Sequence, residues 1–331
     1  MKTRAIVIPA AHTVEMRDVE LKPLGADDVL VRTRLTSISA GTERMLLQGV
    51  MPHPMLQFPV VPGYETVGEV VDAGANVSEW IGRRVYVGGN YGFIGVNPAF
   101  GGQSAHIAAP ASHVTAIDGL SDEQGVMLAL AATALHGVDV GAVVEGARVL
   151  VLGQGVVGQL AARFARARGA HVTVTDKVAA RLRLAEADLI VDANAPPENF
   201  AKAQFDVLID ATGKMEAIAP VLMNVKKGGR VVLLGYYDKV VLPYQPLFLR
   251  ELTLASSSQW APGDLVRARE AIASGAVDVR PLLTHRMRAV QAFEAFEAAF
   301  ENPECVKMIL EWDLESEAGL EWDSERERKK A

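Results

Sequence analysis

The 331-residue chain has a single cysteine, Cys305, which excludes internal disulfides and any zinc site built from cysteine ligands. No segment approaches the roughly 20 apolar residues that a membrane-spanning helix needs, so no integral membrane segment is expected. Basic residues are the minority, 33 against 40 acidic ones, and there is no basic stripe with interleaved aromatic residues, which argues against a nucleic-acid partner. The N-terminus lacks the apolar run of a signal peptide. These absences predict a cytoplasmic protein.

What the sequence does contain is a glycine-rich turn between a strand-like and a helix-like segment. Apolar residues dominate 148–152, and an alanine-rich segment follows at 159–167. In a G-x-G-x-x-G turn, the first glycine permits the tight turn, the second lets a pyrophosphate approach the backbone, and the third lets the helix pack closely on the strand. The helix N-terminus offers free N–H groups to the phosphates. We therefore predict dinucleotide binding by the six residues of the turn, which are Gly153, Gln154, Gly155, Val156, Val157 and Gly158.

The choice of dinucleotide is predicted from the next strand-like segment. Residues 171–175 are followed by Asp176, eighteen residues after Gly158. A carboxylate at this position accepts hydrogen bonds from the adenosine ribose and repels a 2′-phosphate. The sequence therefore predicts NAD rather than NADP as the cofactor.

The order of segments along the chain indicates two kinds of domain. Residues 1 to about 120 alternate short β-rich segments with glycine, proline and asparagine, which is typical of a barrel-like antiparallel domain. A helix is predicted at 121–137, with Ser121 as its N-cap. From about 147 to 256 strands and helices alternate, as a doubly wound parallel sheet requires. Its predicted strands are 148–152, 171–175, 189–192, 206–210, 230–235 and 252–256, and later helices are predicted at 262–274 and 290–300.

This order resembles the medium-chain dehydrogenase/reductase superfamily over about residues 2–312. The resemblance is carried by VPGYETVGEVV at 61–71, GGQSAH at 101–106, TALH at 133–136, DVLIDATG at 206–213 and GGRVVLLG at 228–235. It implies an α/β fold in which a Rossmann doubly wound parallel sheet is inserted in a β-rich, GroES-like catalytic domain. The implied domains are 1–125 for the first part of the catalytic domain, 126–256 for the NAD-binding Rossmann domain, 257–314 for the return to the catalytic domain, and 315–331 for a charged, disordered tail.

The departures from this superfamily concern zinc. Zinc-dependent members carry a histidine where this chain has Tyr64, a cysteine where it has Ser39, and a third ligand where it has Ala129. Zinc is held by thiolates, imidazoles or carboxylates, so none of the three replacements is a good donor. The four-cysteine lobe of members with structural zinc is also missing. We therefore predict an enzyme without a metal.

Several stretches resemble a narrower family, the bacteriochlorophyllide a dehydrogenases. They are ISAGTE at 38–43, PGYE at 62–65, LALAATALH at 128–136, WAPGDLV at 260–266 and FENPECVKMILEW at 300–312. The resemblance implies a tetrapyrrole substrate whose 3-(1-hydroxyethyl) group is oxidised to 3-acetyl with NAD⁺ in bacteriochlorophyll biosynthesis. Loose membrane association is compatible with such a pigment, and a homo-oligomer is compatible with relatives that are often dimers or tetramers.

Three other functions stay open at this point. Zinc-free relatives often reduce quinones or enones, commonly with NADPH, which Asp176 disfavours. A sugar or polyol dehydrogenase would need several polar groups in its cleft. A binding or scaffold protein that retains NAD without turnover belongs to a different class.

Without zinc, a protein group must take the proton of the alcohol. The catalytic candidates are Tyr64, Glu65, Glu43, Thr42 and His136. Tyr64 comes first because it stands at a ligand position, but a phenol with a pKa near 10 is a poor base. A cation such as Arg44, or a relay through Thr42 and Glu43, would have to assist it. Packing, helix capping and structural hydrogen bonds are the alternative roles for these residues.

The resemblance also implies contacts to the cofactor and the substrate. The further cofactor candidates are Thr133, Lys177, Arg181, Ala211, Thr212, Gly213, Gly235 and Tyr236. A loop at 45–58 is rich in methionine and leucine, and methionines and aromatic side chains suit large, flat apolar ligands. The substrate candidates are Met45, Met51, His53, Met55, Tyr91, Phe93 and Trp260. Packing in the core or at a dimer surface would use the same side chains.

Overall fold

The computed structural model describes residues 1–54 and 56–312. The substrate candidate Met55 and the predicted tail at 315–331 therefore lie outside the described residues. The strands are, in chain order, β1 (Lys2–Val7), β2 (Glu15–Leu21), β3 (Asp28–Ile38), β4 (Val60–Val61), β5 (Thr66–Ala73), β6 (Arg84–Val87), β7 (Phe93–Ile94), β8 (Asn97–Pro98), β9 (His106–Pro110), β10 (Val114–Ala116), β11 (Arg148–Leu152), β12 (His171–Asp176), β13 (Leu189–Asp192), β14 (Phe205–Asp210), β15 (Val225–Leu233), β16 (Thr253–Ser256), β17 (His285–Arg288) and β18 (Met308–Glu311). The α-helices are α1 (Thr42–Leu47), α2 (Asp122–Gly125), α3 (Leu128–Val140), α4 (Val156–Ala167), α5 (Ala179–Leu182), α6 (Met215–Ile218), α7 (Tyr244–Arg250), α8 (Asp264–Ala273) and α9 (Ala292–Glu301).

The chain divides into two compact units. Unit 1 contains Met1–Ala116, His285–Phe300 and the described residues from Met308 onward, whereas unit 2 contains Ile117–Thr284 and Glu301–Lys307. No helix among residues 1–54 and 56–312 is long and apolar enough to cross a membrane.

Unit 1 is built around β3. This strand pairs antiparallel with β5, β9 and β18, in a sheet of order β10-β6-β5-β3-β18-β17 with β9 also on β3. Exposed Arg32 and Arg34 alternate along β3 with buried Val31 and Thr33, because successive side chains of a strand point to opposite faces. A core of valines and isoleucine lies under this sheet. The β-rich domain predicted from the sequence is confirmed.

Unit 2 is built around a six-stranded parallel sheet of order β13-β12-β11-β14-β15-β16. Its central strands β11 and β14 are mostly apolar and buried, as expected for strands covered on both faces. The doubly wound sheet predicted from the sequence is confirmed, and the proline-rich crossover is reduced to a short 3₁₀ helix at Glu198–Lys202.

The predicted helix at 121–137 is interrupted. Ser121 caps α2 as expected, since its hydroxyl accepts from the Gln124 N–H at 3.2 Å and its own N–H donates to Gln124 Oε1 at 3.0 Å. The chain then leaves the helical ladder at Val126 and Met127 before α3 begins. Helix α3 is buried on nearly all sides, which is typical of a helix inside a large core.

The predicted domain boundaries need correction at two places. The return to unit 1 begins at His285 rather than at residue 257, and unit 2 begins at Ile117 rather than at residue 126. The physical reason at the later boundary is that α8 packs on α3, where Arg267 forms an ion pair with Asp139 at 2.7 Å. Residues 257–284 therefore complete the core of unit 2.

Candidate active site

Three hydroxyl groups meet in unit 1. Ser39 Oγ lies 2.7 Å from Tyr64 Oη, and the Thr42 side chain is near enough to Tyr64 to lower the pKa of its phenol. The Tyr64 ring packs edge-on against Phe100, with ring centroids 5.1 Å apart. We call Ser39, Thr42 and Tyr64 the hydroxyl cluster. The structure thus brings together the predicted residues Tyr64 and Thr42, and adds Ser39, which the sequence identified only as a lost zinc ligand.

The surroundings of Tyr64 keep its phenol protonated. Burial raises the pKa of Tyr64 above its ordinary value, and the carboxylates of Glu65 and Glu43 raise it further. Hydrogen bonds with Ser39 and Thr42 only partly oppose this rise in pKa. A phenolate is therefore disfavoured, and Tyr64 is suited to pass a proton along hydrogen bonds or to donate one, not to act as a free base.

The prediction that the cation of Arg44 assists Tyr64 is wrong. The Arg44 Nη2 donates to the carbonyl oxygen of Phe300, and its guanidinium lies 5.2 Å from the centroid of the Phe300 ring. It is not among the groups that shift the pKa of Tyr64. Its long side chain holds α1 against α9 within unit 1.

Two buried carboxylates adjoin the hydroxyl cluster. Glu43 Oε2 accepts from the Ser39 N–H at 2.5 Å, and Glu43 Oε1 accepts from Gln103 Nε2 at 3.1 Å. Glu65 Oε2 accepts from the Ser37 hydroxyl. These are the capping and structural hydrogen bonds considered for the two glutamates, and they place both carboxylates where a relay of hydroxyls could end.

His136 is not in the hydroxyl cluster. It lies on α3 in unit 2, where its Nδ1 is 3.3 Å from Asp264 Oδ2. Asp264 also binds Arg267 at 2.8 Å and accepts from the N–H of Ala261, which precedes α8, at 2.8 Å. His136 thus makes a contact between α3 and α8, and its catalytic role stays a prediction. Asp139 lies close enough to share a cation with this pair, but it is already bound by Arg267.

The glycine turn of unit 2 has the geometry that its three glycines suggest. Gly153 has φ +84°, a conformation that favours glycine. A Cβ on Gly158 would lie 1.8 Å from the carbonyl oxygen of Gly153, whereas a Cβ on Gly155 would meet nothing within 4 Å. Helix α4 begins directly after Gly155 and runs for 12 residues. Its first N–H groups therefore border an open space beside Gly155.

This geometry predicts opposite outcomes for two alanine substitutions. Gly158→Ala forces two backbones apart, and such overpacking costs about 1–3 kcal/mol or more in the free energy of unfolding. Gly155→Ala leaves that free energy within about 1 kcal/mol, but fills the open space and weakens NADH binding about tenfold or more. Urea unfolding and NADH fluorescence titration measure the two effects. Equal loss of stability in both variants would contradict this assignment.

Asp176 ends β12 beside the glycine turn. Its Oδ2 accepts from the Gln154 N–H at 2.6 Å, and its Oδ1 accepts from the Val178 N–H at 2.8 Å. These bonds fix the carboxylate at the edge of the sheet. Each oxygen keeps a second lone pair, so the carboxylate can still receive ribose hydroxyl groups.

Asp210, at the end of β14, forms a pair with Tyr237 that the sequence did not single out. The Tyr237 hydroxyl donates to Asp210 Oδ2, and the Thr212 hydroxyl donates to Asp210 Oδ1 at 2.7 Å. Burial raises the pKa of Asp210 above its ordinary value even though these hydrogen bonds oppose the rise. The pair ties the turn after β14 to the turn after β15, and the only signal in the sequence was the aromatic pair that follows GGRVVLLG.

The remaining cofactor candidates lie in unit 2. Two already have protein partners, since the Thr133 hydroxyl donates to Ala129 O at 2.9 Å and Arg181 Nε donates to Pro303 O at 3.1 Å. Ala211, Thr212 and Gly213 form the turn after β14, and Gly235 packs against it so closely that a Cβ would lie 2.6 Å from Gly213. Lys177 and Tyr236 are exposed.

The substrate candidates fall into different environments. Tyr91 and His53 are exposed, Met45 and Trp260 are half-buried, and Met51 is buried. Phe93 is 6% exposed in a core with Leu21, Val19 and Val61. Its assignment to a substrate surface is therefore wrong, because in the short strand β7 the side chain of Phe93 points inward and that of Ile94 points outward.

Zinc does not fit the residues at the three ligand positions. Ser39 and Tyr64 offer neutral hydroxyls that hydrogen-bond to each other, and the Ala129 side chain has no donor atom. Tetrahedral zinc prefers thiolate, imidazole or carboxylate ligands. We derive no step through a metal.

A dinucleotide does fit unit 2. Two buried polar atoms, Gln154 Oε1 and Ser257 Oγ, have no hydrogen-bond partner among residues 1–54 and 56–312. Gln154 lies in the glycine turn and Ser257 directly follows β16, so both lie at the carboxyl edge of the parallel sheet, where such folds bind nucleotides. Unpaired buried polar groups cost free energy, and a ligand at this edge could relieve that cost.

Comparison with known proteins places the chain in a family. The sequence profile described as "Alcohol dehydrogenase GroES-like domain" matches residues 25–119, and that described as "Zinc-binding dehydrogenase" matches residues 156–274. Two curated proteins named 2-desacetyl-2-hydroxyethyl bacteriochlorophyllide A dehydrogenase, from Cereibacter sphaeroides and Rhodobacter capsulatus, are 33% and 35% identical to this chain. Each match covers 94% of this chain and 99% of the relative.

Solved structures agree on the fold. A dehydrogenase from Sinorhizobium meliloti 1021 bound to NADP is 26% identical, with a TM-score of 0.83 over 94% of this chain and 99% of that chain. L-idonate 5-dehydrogenase from Escherichia coli is 20% identical, with a TM-score of 0.85 over 94% of this chain and 98% of that chain. The chain therefore belongs to the medium-chain dehydrogenase/reductase superfamily and, within it, to the family of the bacteriochlorophyllide A dehydrogenases.

Proposed function

We propose that this protein oxidises the 3-(1-hydroxyethyl) group of a bacteriochlorophyllide to a 3-acetyl group, with NAD⁺ as hydride acceptor and without zinc. The observation that carries the proposal is the 2.7 Å hydrogen bond between Ser39 Oγ and Tyr64 Oη. It joins two positions at which zinc-dependent members have metal ligands, and it offers hydroxyls to the oxygen of a secondary alcohol. The names of the two relatives support the substrate class.

The reaction removes a hydride from the carbinol carbon and a proton from its hydroxyl, leaving a carbonyl group. When bound, the nicotinamide supplies the hydride acceptor. The substrate hydroxyl donates its proton to Tyr64 Oη while Tyr64 releases its own proton to another member of the hydroxyl cluster. The relay ends on the carboxylate of Glu43, whose Oε2 accepts from the Ser39 N–H at 2.5 Å and therefore lies beside the cluster. Because each hydroxyl accepts one proton as it releases another, no phenolate forms, in keeping with the raised pKa of Tyr64.

NAD⁺ is the proposed dinucleotide because of Asp176. A solved relative binds NADP, so superfamily membership alone leaves the choice open. In this chain a buried carboxylate at the end of β12, bonded to the glycine turn at 2.6 Å, disfavours a 2′-phosphate by charge repulsion.

The proposed function is tested by mixing the purified protein with NAD⁺ and 3-(1-hydroxyethyl) bacteriochlorophyllide a. We expect NADH absorbance to rise together with a shift of the red band of the chlorin. Activity should be unchanged, within about twofold, after exhaustive chelation, because the ligand positions offer only weak zinc donors. Elemental analysis of the same sample checks for zinc. Loss of activity on chelation with rescue by zinc would overturn the zinc-free part.

A protein that binds NADH but leaves the chlorin unchanged would overturn the substrate. Assays with polyols and with quinones or enones then distinguish the remaining dehydrogenase and reductase functions. Absence of turnover with all of them would favour a binding protein.

We also propose that the protein forms a homodimer through unit 2. Strand β16 is the edge of the parallel sheet and pairs only with β15 among the described strands. Apolar side chains are exposed on β16 and on the preceding helix α7. Leu254 of β16 is 39% exposed, and Tyr244 and Phe248 of α7 are 72% and 63% exposed. A free edge strand can pair with the same strand of a second copy, and contiguous apolar surface marks association sites.

Substituting this edge should therefore separate the subunits. Leu254→Lys with Phe248→Glu is expected to convert a dimer of the 35.5 kDa chain into a monomer, because charges would be buried without partners at the interface. Light scattering coupled to gel filtration measures the mass, and Val144→Lys, at another exposed apolar residue of unit 2, serves as the control. A monomeric parent protein that binds lipid vesicles would instead assign this surface to a membrane.

A further inference from the structure

We infer that Gln103 is a positioning residue that sets the Ser39–Tyr64 hydrogen bond by fixing both segments that carry these hydroxyls. The inference rests on the proposed function, in which this pair handles the proton of the substrate. Gln103 is fully buried, at 0% exposure, on the loop before β9, so it acts through other residues and does not touch the substrate.

The side chain of Gln103 holds the segment of Ser39. Its Nε2 donates to Glu43 Oε1 at 3.1 Å and to the carbonyl oxygen of Ser37 at 3.1 Å. Glu43 in turn accepts from the Ser39 N–H through Oε2 at 2.5 Å. The carboxylate of Glu43 is thus held at both oxygens, by the amide of Gln103 on one side and by the backbone of Ser39 on the other.

The orientation of this amide is determined by its partners. Trp312 Nε1 can only donate, and it donates to Thr36 Oγ1 at 2.8 Å. The single hydroxyl hydrogen of Thr36 is then free to go to Gln103 Oε1 at 2.6 Å. With Oε1 occupied in this way, Nε2 must face the two acceptors, so only one of the two amide orientations satisfies every partner.

The backbone of Gln103 holds the segment of Tyr64. Its N–H donates to the carbonyl oxygen of Pro62 at 2.9 Å. Gly63, with φ +95°, packs so closely that a Cβ there would lie 2.6 Å from Gln103 Cγ. The turn that presents Tyr64 therefore rests on the same residue whose side chain holds Glu43 and, through it, Ser39.

Loss of the amide has a specific consequence. Glu43 would lose the amide N–H that its Oε1 accepts, and a buried carboxylate that loses a hydrogen bond reorients to find another. The Ser39 backbone would lose its fixed acceptor, so the distance between Ser39 Oγ and Tyr64 Oη would no longer be set. The fold of unit 1 keeps its sheets, since Gln103 is outside every strand.

The test compares Gln103→Met, which keeps the length of the side chain but removes the amide, with Ser104→Ala as a matched control. Ser104 is the next residue, is equally buried, and donates only to main-chain carbonyls, at 2.9 Å to His106. For Gln103→Met we expect kcat with the hydroxyethyl chlorin to fall about tenfold or more, since small displacements of reacting groups have effects of that size. The KM for NAD⁺ and the Kd for NADH should stay within about twofold. The control should keep all three.

Two further measurements make the outcome decisive. If Gln103→Met fails to fold, Thr36→Val takes its place. It removes the hydroxyl that orients Gln103 Oε1 and that also accepts from Trp312 Nε1, and we expect kcat to fall in the same direction. A crystal structure of either variant should show a changed Ser39–Tyr64 hydroxyl distance, independently of activity. If the parent protein does not oxidise the chlorin, the proposed function fails while the crystal structures still test Gln103. An unchanged hydroxyl distance in the variants, or an unchanged kcat in an active protein, would overturn the inference.

Discussion

Tyr64→Phe is expected to lower kcat for the hydroxyethyl chlorin by about 10²–10³-fold, the range for removing a proton-transfer group or a donor to developing charge. The substitution removes only the hydroxyl that meets Ser39 and Thr42. The ring should keep its edge-on contact with Phe100 at 5.1 Å, so the free energy of unfolding should change little. Steady-state kinetics with saturating NAD⁺ measure the effect.

The control for Tyr64→Phe is Tyr86→Phe. Tyr86 is another buried tyrosine of unit 1, and its hydroxyl donates to the backbone carbonyl of Tyr64 at 2.8 Å rather than to the cluster. It should lose less than about tenfold in kcat, the equivalent of one ordinary hydrogen bond. Equal losses in the two variants would assign Tyr64 to packing. Because burial raises the pKa of Tyr64, kcat should also show no change at the ordinary tyrosine pKa near 10.

The second large effect is expected at Asp176. Asp176→Asn should lower kcat/KM for NAD⁺ by about 10- to 100-fold, the equivalent of one charged hydrogen bond of about 1.5–3 kcal/mol. It should raise kcat/KM for NADP⁺, because the repulsion of the 2′-phosphate disappears. The single amide oxygen of the asparagine can still accept from the Gln154 N–H, which lies 2.6 Å from the carboxylate in the parent protein, whereas the bond from the Val178 N–H is lost. The glycine turn should therefore stay in place.

The matched control is Asp192→Asn. Asp192 ends the neighbouring strand β13, is exposed, and accepts from the Asn194 N–H at 2.8 Å. It should leave the preference between the two dinucleotides unchanged. A parent enzyme that prefers NADP⁺, or an Asp176 variant with unchanged preference, would contradict the role of this carboxylate.

Much of the fold could be predicted because its signals are local. The central strands of unit 2 are mostly apolar, and the turn at 153–158 has glycines where the backbone needs φ above zero or close approach. The return to unit 1 at His285 could not be predicted in the same way. It depends on the packing of α8 on α3, where Arg267 contacts Asp139, and these segments are far apart in the chain.

The same difference between local and distant signals applies to the residues of the candidate site. Tyr64 could be identified from its place in the PGYE motif, but its contact with Ser39 spans 25 residues and the contact of Gln103 with Glu43 spans 60. Phe93 was misassigned because β7 has only two residues, and alternation over two residues does not tell which one faces the core. The roles of Ser39, Gln103 and Phe93 depend on tertiary contacts, and such contacts produce no periodic pattern in the sequence.

The pairing of β18 with β3 has a consequence for synthesis of the chain. Residues Leu35–Ile38 of β3 pair with β18, and Trp312 donates to Thr36, 276 residues earlier. This part of one edge of β3 therefore stays unpaired until nearly the whole chain has been made. At about 5–20 residues per second, that wait is roughly 15 to 60 s. During this time a ribosome-bound chain exposes an unpaired strand edge, which is a site for aggregation. The last described residues thus complete the sheet of unit 1, and a chain terminated early would contain the parallel sheet of unit 2 but lack the strand that pairs with the part of β3 next to Ser39.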